Sequence, residues 1–529
     1  MVLSVKYPKH AIWILPLSLA TSGLNLFTVE YFIGIEFIRP LVLWFALRNE
    51  TKKLRTNKTI FYWLPFLALA IFYIVWRLFL MENLRNLEPV LFTWFLSNPI
   101  GTSIKIINFV IRDLLYMVMA VWYPTLDPKT IDISVPYLAI SYFLSVIVGM
   151  VFILLFWYQN RQQESHSTED SHIFPVEGLV IGLTGIMFGC APGWLIGASV
   201  TGSGLWVDRF GLAAMWAAPI VIVSIFFIIW KAIPRKREMV FIVLISLAVG
   251  HNFAITNEYK WSTIWQNRVM SQLKWRAPLV KPNTAFLSNY ELFEKVGVYP
   301  TSFMLNILYP NVQELVRLDY WFFTIHKYFP DKEADLVKGM DIYSSHWYSK
   351  FAGYSRDSLV MGWNSTNPHC LWILTENDRY NPGIDDTTRL VLGASNLDRI
   401  VTDKTSPWPD VNLFGAEDRN NWCFYYETGD LARQNGDWGK AITLYEEATS
   451  QGYKPMHGAE LIPFIEAYAH NGQADVAAKL TKLANDQNEN MQKYTCDTWN
   501  RLSVDITGDP LFNEQYKLIS EKDECQSIK

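Results

Sequence analysis

Long apolar runs fill the first half of the chain and limit what it can fold into. A helix needs about 20 residues to cross a bilayer core about 30 Å thick, and six runs are long enough. They cover 11–28, 59–80, 134–158, 174–200, 210–230 and 238–257. A seventh run, 31–47, is shorter and carries charged side chains. We therefore predict an α-helical multi-pass membrane bundle of about seven transmembrane helices over residues 1–257.

The composition agrees with a membrane half followed by an ordinary folded half. The 529 residues are 50% hydrophobic and only 18% charged, whereas soluble domains carry roughly 25% charged residues. Beyond residue 257, polar and apolar residues mix evenly. The net charge of −4, without a long basic patch interleaved with aromatic residues, argues against nucleic acid as a partner.

Basic clusters predict how the bundle is oriented. Lys and Arg residues are concentrated before the first run, after the charged run and at 231–237. Cytoplasmic loops carry an excess of these residues, so all three clusters are assigned to the cytoplasm. Runs 11–28 and 31–47 then form a hairpin with its turn, near Glu30, outside. The protein is predicted to lie in the cell membrane with a cytoplasmic N-terminus and an extracytoplasmic C-terminal half.

Two stretches of the membrane half allow more than one interpretation. Residues 106–123 are mostly apolar and carry only two charged residues, Arg112 and Asp113, which fits either a helix in the outer interface or a re-entrant helix. Glycines recur at spacings of three and four between 178 and 197. Such a stripe favours close helix packing, and it is also compatible with a thin-walled substrate groove.

Residues 258–420 are predicted to form an extracytoplasmic α/β domain. An initial helix starts near 258 and ends before the prolines at 278 and 282. Strand-like composition, bounded by Asn, Gly and Pro, occurs at 283–290, 356–364 and 369–376. Helix-like patterns occur at 311–329 and 386–401.

Residues 421–529 are predicted to form helical hairpins resembling tetratricopeptide repeats (TPRs). Gly436, Ala441 and Ala448 match the repeat pattern, and Gly472 follows Gly436 by 36 residues. The pattern describes two helices that touch through small residues and stack on the next pair. Two such repeats either brace a neighbouring domain or bind a protein partner.

The sequence contains no familiar catalytic or metal-binding motif. The histidines lack HExxH spacing, and GxSxG and CxxC are absent, so no metal and no cofactor is expected. Four of the five cysteines lie in 258–529, at positions 370, 423, 496 and 525. They can form disulfides in an oxidising compartment, but spacing does not reveal the pairing, and free buried thiols remain an alternative.

Charges predicted to lie near the outer membrane surface are the candidate substrate-binding residues. They are Glu30, Glu36, Arg39, Arg112, Asp208 and Arg209. An arginine there can pair with the phosphate of a lipid-linked substrate. Alternatively, these charges form internal ion pairs that fix helix registry, since charges inside a membrane are usually paired. Glu36 and Arg39 are three residues apart and can pair on one helical face.

The layout resembles the GT-C glycosyltransferases that combine a multi-spanning bundle with C-terminal TPRs. The segments EYFIGIEFIRPLVLWFAL, WVDRF, QLKWRAPLVKPNTAFLS and WCFYYETGDLARQNGDW also resemble an uncharacterised bacterial multi-pass membrane-protein family. The resemblance implies transfer of a sugar from a polyprenyl-phosphate carrier at the outer leaflet. Membrane lipids and such a carrier are therefore the expected partners, in cell-envelope glycan assembly.

The chain departs from the GT-C pattern at its beginning. Those enzymes carry a catalytic acidic residue in a long first outer loop, whereas the first outer turn here is only a few residues around Glu30. The chain looks like the C-terminal portion of a longer protein, and no catalytic residue is transferred to it. The alternative function is a non-enzymatic membrane anchor whose TPR-like region is an extracytoplasmic scaffold for protein–protein interaction.

Overall fold

The computed structural model describes residues 1–80, 90–127, 135–162, 174–201, 207–229, 237–310, 316–363, 369–402, 407–522 and 525. The chain forms two compact units, Met1–Glu258 and Tyr259–Lys529. It is mostly helical, with a small sheet-containing region in the second unit.

Helices make up the described part of the first unit. They are α1 (Val2–Lys6), α2 (Ala11–Thr28), α3 (Ile33–Glu36), α4 (Arg39–Ala46), α5 (Lys52–Val75), α6 (Val90–Ser97), α7 (Pro99–Val118), α8 (Tyr123–Leu126), α9 (Pro136–Gln162), α10 (Phe174–Leu195) and α11 (Ala217–Ile229). The 40-residue helix α12 (Arg237–Arg276) begins in this unit and ends in the second.

Four helical segments in the described residues are long and apolar enough to cross a membrane. They are Pro8–Thr28, Lys52–Leu80, Pro136–Leu155 and Pro175–Leu195. The 3-10 segment Val207–Ala214 and α11 pass the same test as a pair bent by 60°, which would make a fifth span. The chain is therefore compatible with membrane association, but the prediction of seven spans is not confirmed.

The charged run 31–47 does not form one continuous helix. It divides into α3 and α4, of four and eight residues, separated by Phe37 and Ile38. Eight helical residues extend only about 12 Å, which is short of a bilayer core. Pro40 lies in the first turn of α4, where it starts a helix without losing a hydrogen bond. The predicted last run, 238–257, lies within α12.

The glycine stripe of α10 lies against other helices. A Cβ atom on Gly185 would come within 2.6 Å of the Ala217 Cβ, and one on Gly189 within 2.8 Å of the Ala214 backbone. At Gly34, a Cβ would meet the Phe188 carbonyl oxygen. The small residues therefore permit close packing of α10 on α11, on the 3-10 segment Val207–Ala214 and on α3, and close packing accounts for the stripe.

A four-stranded sheet is the centre of the second unit. The strands of the whole unit, of which four form this sheet, are β1 (Leu279–Val280), β2 (Thr284–Ser288), β3 (Tyr320–Thr324), β4 (Asp341–His346), β5 (Ser349–Tyr354), β6 (Ser358–Gly362), β7 (Trp372–Leu374) and β8 (Ile400–Val401). The sheet order is β3-β2-β6-β7, with β2 parallel to both neighbours and β7 antiparallel to β6. Two further pairs, β1–β8 and β4–β5, are antiparallel.

Three strands lie where strand composition predicted them, but the helix predicted at 311–329 is wrong. Residues 320–324 form the fully buried strand β3, and a short helix follows. The run YWFFT is apolar at every position, and periodicity alone cannot distinguish such a run from a buried helix. Residues 311–315 lie outside the described part.

Helices complete the second unit. They are α13 (Val298–Leu308), α14 (Ile325–Tyr328), α15 (Glu333–Lys338), α16 (Asp386–Leu390), α17 (Val411–Phe414), α18 (Trp422–Gln434), α19 (Trp438–Ser450), α20 (Ile462–His470), α21 (Ala474–Gln487), α22 (Met491–Asp505) and α23 (Pro510–Lys522). Gly436 and Gly472 have left-handed φ angles of 69° and 74° in the short turns after α18 and α20. Gly429 faces the Phe464 ring, where a Cβ would approach to 2.6 Å.

The sheet and the C-terminal helices share one hydrophobic core, which extends from Val269 to Cys525. A buried ionic chain crosses it. Arg276 donates through Nε to Asp430 at 2.6 Å, and Asp430 also accepts from Arg433 at 2.7 Å. Arg433 and Arg501 both pair with Glu466. This chain joins α12, α18, α20 and α22.

Two disulfides reinforce the same unit. Cys370, which precedes β7, is bonded to Cys423 on α18. Cys496 on α22 is bonded to Cys525. Cys190, in the first unit, is a buried free thiol. The first disulfide therefore links the sheet to the first C-terminal helix.

Two buried histidines flank Trp372. The ring of His369 stacks on it with centroids 3.8 Å apart, and His457 meets its edge at 5.2 Å. Burial lowers the pKa of both histidines from 6.5 to about 4. The unfolded chain therefore binds more protons than the folded one between pH 4 and 6.5. The contribution of these two histidines to the free energy of unfolding is therefore fully present above pH 6.5 and is lost as the pH falls toward 4.

We expect His457→Asn to reduce the acid sensitivity of the second unit. Asn can still accept from the Ala459 N–H, as His457 does at 3.1 Å, but it does not titrate. When the pH is lowered from 7 to 5, the free energy of opening should fall by about 1 to 2 kcal/mol less in the variant than in the wild type. Hydrogen exchange on peptides covering 457–470 of the full-length protein measures this difference.

Burial also raises the pKa of Glu460 to about 7, which acts in the opposite direction on acidification. Because Glu460 is common to both proteins, its contribution cancels in the comparison. A difference that stays constant from pH 7 to pH 5 would contradict the role given to His457.

Candidate functional site

The buried carboxylate of Asp113 organises one region of the first unit. Asp113 lies on α7, and its Oδ2 accepts from the Trp194 indole N–H at 2.7 Å and from the Val200 N–H at 3.2 Å. Its Oδ1 accepts from the Ser199 hydroxyl at 2.5 Å. Burying a carboxylate is costly unless donors replace its hydration. These three donors therefore tie α7 to the end of α10 and to the residues that follow it.

An apolar cluster next to Asp113 adds two more elements. Met117 and Val200 both lie close to Gly211. A Cβ atom added to Gly211 would be 3.2 Å from the side chain of each. The neighbouring Phe210 contacts Tyr31 edge-on, with ring centroids 4.9 Å apart. The 3-10 segment Val207–Ala214 therefore packs beside α7, and the residues around 30 pack on that segment.

This packing brings four of the predicted site residues onto contacting elements. Arg112 is exposed and donates to the Thr201 carbonyl at 3.4 Å. Asp208 and Arg209 are exposed, and the Asp208 carboxylate interacts electrostatically with Tyr116, one turn after Arg112. Glu30 is half-buried and forms an ion pair with Arg77, at 3.3 Å between Oε2 and Nε.

Glu36 and Arg39 form a separate and more enclosed group. Arg39 donates to Glu36 through both Nε and Nη2, the latter at 2.8 Å, and also to the buried Ser22 hydroxyl at 3.1 Å. Ser22 in turn donates to Glu36 Oε1 at 2.6 Å. The Arg39 guanidinium lies over the Phe66 ring, 4.2 Å from its centroid. The ion pair thus connects the α3–α4 region to α2 and α5.

The two groups offer different chemistry. The Glu36 carboxylate is 3% exposed as a residue and already has a cation and a hydroxyl as partners. The exposed guanidinium groups of Arg112 and Arg209 retain donor N–H groups for an anion. Within the described ranges, no group of three His, Cys, Asp or Glu side chains is arranged to hold a metal ion.

The sequence pointed to the charged positions but not to their partners. Trp194 and Ser199 lie 81 and 86 residues from Asp113 along the chain. Arg77, the partner of Glu30, lies 47 residues away. The available sequence signal was an ionisable residue in an apolar setting, which predicts that a partner exists but not which residue supplies it.

Comparisons with family models, with curated proteins and with solved structures gave no match for this chain.

We expect Arg39→Met to destabilise the first unit. Removing the guanidinium leaves Glu36 buried without a counter-ion, which costs about 3 to 5 kcal/mol for a buried pair. The double variant Glu36→Gln/Arg39→Met removes both charges and should recover much of that loss. The measurements are membrane accumulation and the melting temperature of the detergent-solubilised protein.

If Arg39→Met accumulates and melts like the wild type while activity is lost, the pair does not brace the helices. That outcome would instead support the prediction that Arg39 contacts a substrate.

Proposed function

We propose that this protein handles a polyprenyl-phosphate-linked sugar in the membrane, as a GT-C-like glycosyltransferase or the C-terminal part of one, in cell-envelope glycan assembly. The observation that carries the proposal is the pair of exposed arginines, Arg112 and Arg209, on elements that pack together around Asp113. Apolar helices beside these cations suit a ligand with a long hydrocarbon chain and an anionic head group.

Rigid placement supports phosphate binding by these arginines. Asp113 and its three donors hold α7, so Arg112 extends from a fixed helix. Phe210, next to Arg209, is held by the Tyr31 ring. Guanidinium groups can donate two parallel hydrogen bonds to a phosphate, and a donor that is already positioned loses less entropy on binding. No catalytic residue is assigned.

We further propose a cell-membrane location with a cytoplasmic N-terminus and an extracytoplasmic second unit. The three basic clusters of the first half support this orientation. The two disulfides of the second unit are consistent with it, because disulfides persist in oxidising compartments and are rare in the cytosol.

A second candidate function is a membrane-anchored scaffold that uses the TPR-like region. The helix pairs α18–α19 and α20–α21 are joined by short turns with left-handed Gly436 and Gly472 at equivalent positions. Their small residues match the spacing of TPRs. A scaffold would bind its protein partner without any need for Arg112 or Arg209, which distinguishes the two candidates.

We expect Arg112→Ala/Arg209→Ala to weaken binding of a polyprenyl phosphate by about tenfold or more, because two charge-assisted contacts are lost. Binding of the corresponding polyprenol, which lacks phosphate, should be unchanged. Native mass spectrometry of the full-length protein in detergent measures both affinities.

The charge-preserving variant Arg112→Lys/Arg209→Lys is the matched control and should keep an intermediate phosphate affinity, since ammonium groups bind phosphate as point charges. Equal binding of polyprenyl phosphate by the alanine variant and the wild type would remove this site from the proposal.

We expect only one of the five cysteines to react when protein from cells is denatured and alkylated without reductant. Cys190 is the free thiol, and the other four are in disulfides. Intact-mass spectrometry counts the alkyl groups, and reduction beforehand should give five. Five alkyl groups without reduction would place the second unit in a reducing compartment and contradict the proposed orientation.

A further inference from the structure

A cleft of about 770 Å³ in the second unit has an unusual number of aromatic walls. It lies among the C-terminal part of α12, the residues just before α18 and the residues after α19. Its aromatic lining comprises Trp265, Trp275, Trp363, Phe414, Trp422 and Tyr453. Pockets of a few hundred to about 1,000 Å³ are the usual size for small-molecule sites.

Trp265 is the aromatic side chain most open to a ligand in this cleft. It is 40% exposed, whereas Trp275, Trp363 and Trp422 are each less than 10% exposed. Trp363 packs edge-on against Trp265, with the ring centroids 6.2 Å apart. The exposed Arg268 guanidinium lies over one side of the Trp265 ring, 5.3 Å from its centroid. The cleft therefore presents a partly exposed indole ring together with the hydrogen-bond donors of a guanidinium.

Amide groups stand beside this surface and have unused hydrogen-bonding capacity. The half-buried side chain of Asn267 makes no hydrogen bond to any residue that the structure describes. Gln272 uses its carbonyl oxygen to accept from the Leu371 N–H at 2.6 Å, which leaves its NH₂ group available. Asn421, by contrast, already uses both of its groups: its oxygen accepts from the Phe424 N–H at the start of α18, and its NH₂ group donates to the Asp418 carbonyl at 2.8 Å.

His369 adds a neutral hydrogen-bond acceptor. Its Nδ1 lies 2.6 Å from the Cys370 carbonyl oxygen, and a carbonyl can only accept, so Nδ1 carries the proton. Nε2 then has a free lone pair. Stacking on Trp372 fixes the ring plane. The low pKa of His369 is consistent with a neutral ring at physiological pH.

A second, smaller cavity lies next to the cleft and shares two lining residues with it. It has a volume of about 130 Å³, and Trp363 and His369 line it as well as the larger cleft. Gly362 and Ser288, at the carboxyl ends of β6 and β2, also line it. Ligands of open α/β sheets bind at the carboxyl ends of the strands. This agrees with a site that extends from the Trp265 wall to the sheet.

We propose that this cleft binds an oligosaccharide. A pyranose ring has C–H groups on its faces and hydroxyl groups around its edge. Trp265 offers an aromatic face for the C–H groups, since the faces of aromatic rings carry negative potential. Asn267, Gln272 and His369 offer donors and an acceptor for hydroxyls. A proline-rich peptide also uses aromatic grooves, but it presents few groups for side-chain amides to bind.

This inference stands independently of the proposed transferase function, because every residue that it uses belongs to the second unit. A saccharide can bind there whether or not the first unit handles a lipid-linked sugar. Its test therefore measures binding only.

The test uses the full-length protein in detergent on an array of neutral and acidic oligosaccharides, followed by titration with the strongest binder. Trp265→Ala should weaken that binding by about tenfold or more, as expected for loss of a central aromatic contact. Asn267→Ala should also weaken it, and Trp265→Tyr should retain most of it.

The matched control is Trp261→Ala, one helical turn earlier on α12. Trp261 is 42% exposed, close to the 40% of Trp265, and it does not line the cleft. Its substitution should leave the affinity unchanged. Intact disulfides in each variant establish that the second unit is folded. Binding of no oligosaccharide, equal loss in the Trp261 and Trp265 variants, or binding of proline-rich peptides instead would overturn the proposal.

Discussion

The hydrogen bonds of one buried carboxylate determine how a large part of the first unit fits together. Asp113 is fully buried and accepts from Trp194, Ser199 and the Val200 N–H. In a low-dielectric interior, loss of any donor leaves the charge incompletely solvated, so α7 cannot slide or rotate freely. Consecutive helical residues point about 100° apart. Burying Asp113 therefore turns its neighbour Arg112 outward, and an anchoring interaction fixes the position of an exposed cation.

Charged groups in the two units divide into enclosed and open sets. Glu36 and Arg39 satisfy each other together with Ser22. Arg276 and Asp430 likewise form a buried ion pair in the second unit. Arg112 and Arg209 are exposed instead. Removing one partner of an enclosed pair leaves a buried charge without its counter-ion and costs stability, whereas removing an exposed arginine leaves no buried charge behind.

The sequence predicted those features that depend on local composition. Run length and hydropathy identified four helices able to span a membrane, and Asn, Gly and Pro boundaries identified β2, β6 and β7. The spacing of Gly436 and Gly472 anticipated two equivalent turns. Local composition failed at 31–47, where the helix breaks just before Pro40, and at β3, where every residue is buried and the run shows no alternation.

The rest depended on partners that are distant in sequence. The donors to Asp113 lie more than 80 residues away, and the cleft around Trp265 combines residues from 264 to 456. No local pattern identifies such neighbours. The candidate site could therefore be predicted as a set of charged positions, but the division into enclosed and open charges required the structure.

The long-range pairings of the second unit also set an order for its biosynthesis. Strand β1 pairs with β8, about 120 positions later, and Cys370 waits for Cys423, 53 residues further on. A chain synthesised from its N-terminus cannot pair β1 until β8 has followed, and it cannot close that disulfide until α18 has followed. A nascent chain arrested after Cys370 and before β8 would leave β1 without its partner strand and Cys370 as a free thiol. Completion of the second unit therefore depends on segments that are far apart in the order of synthesis.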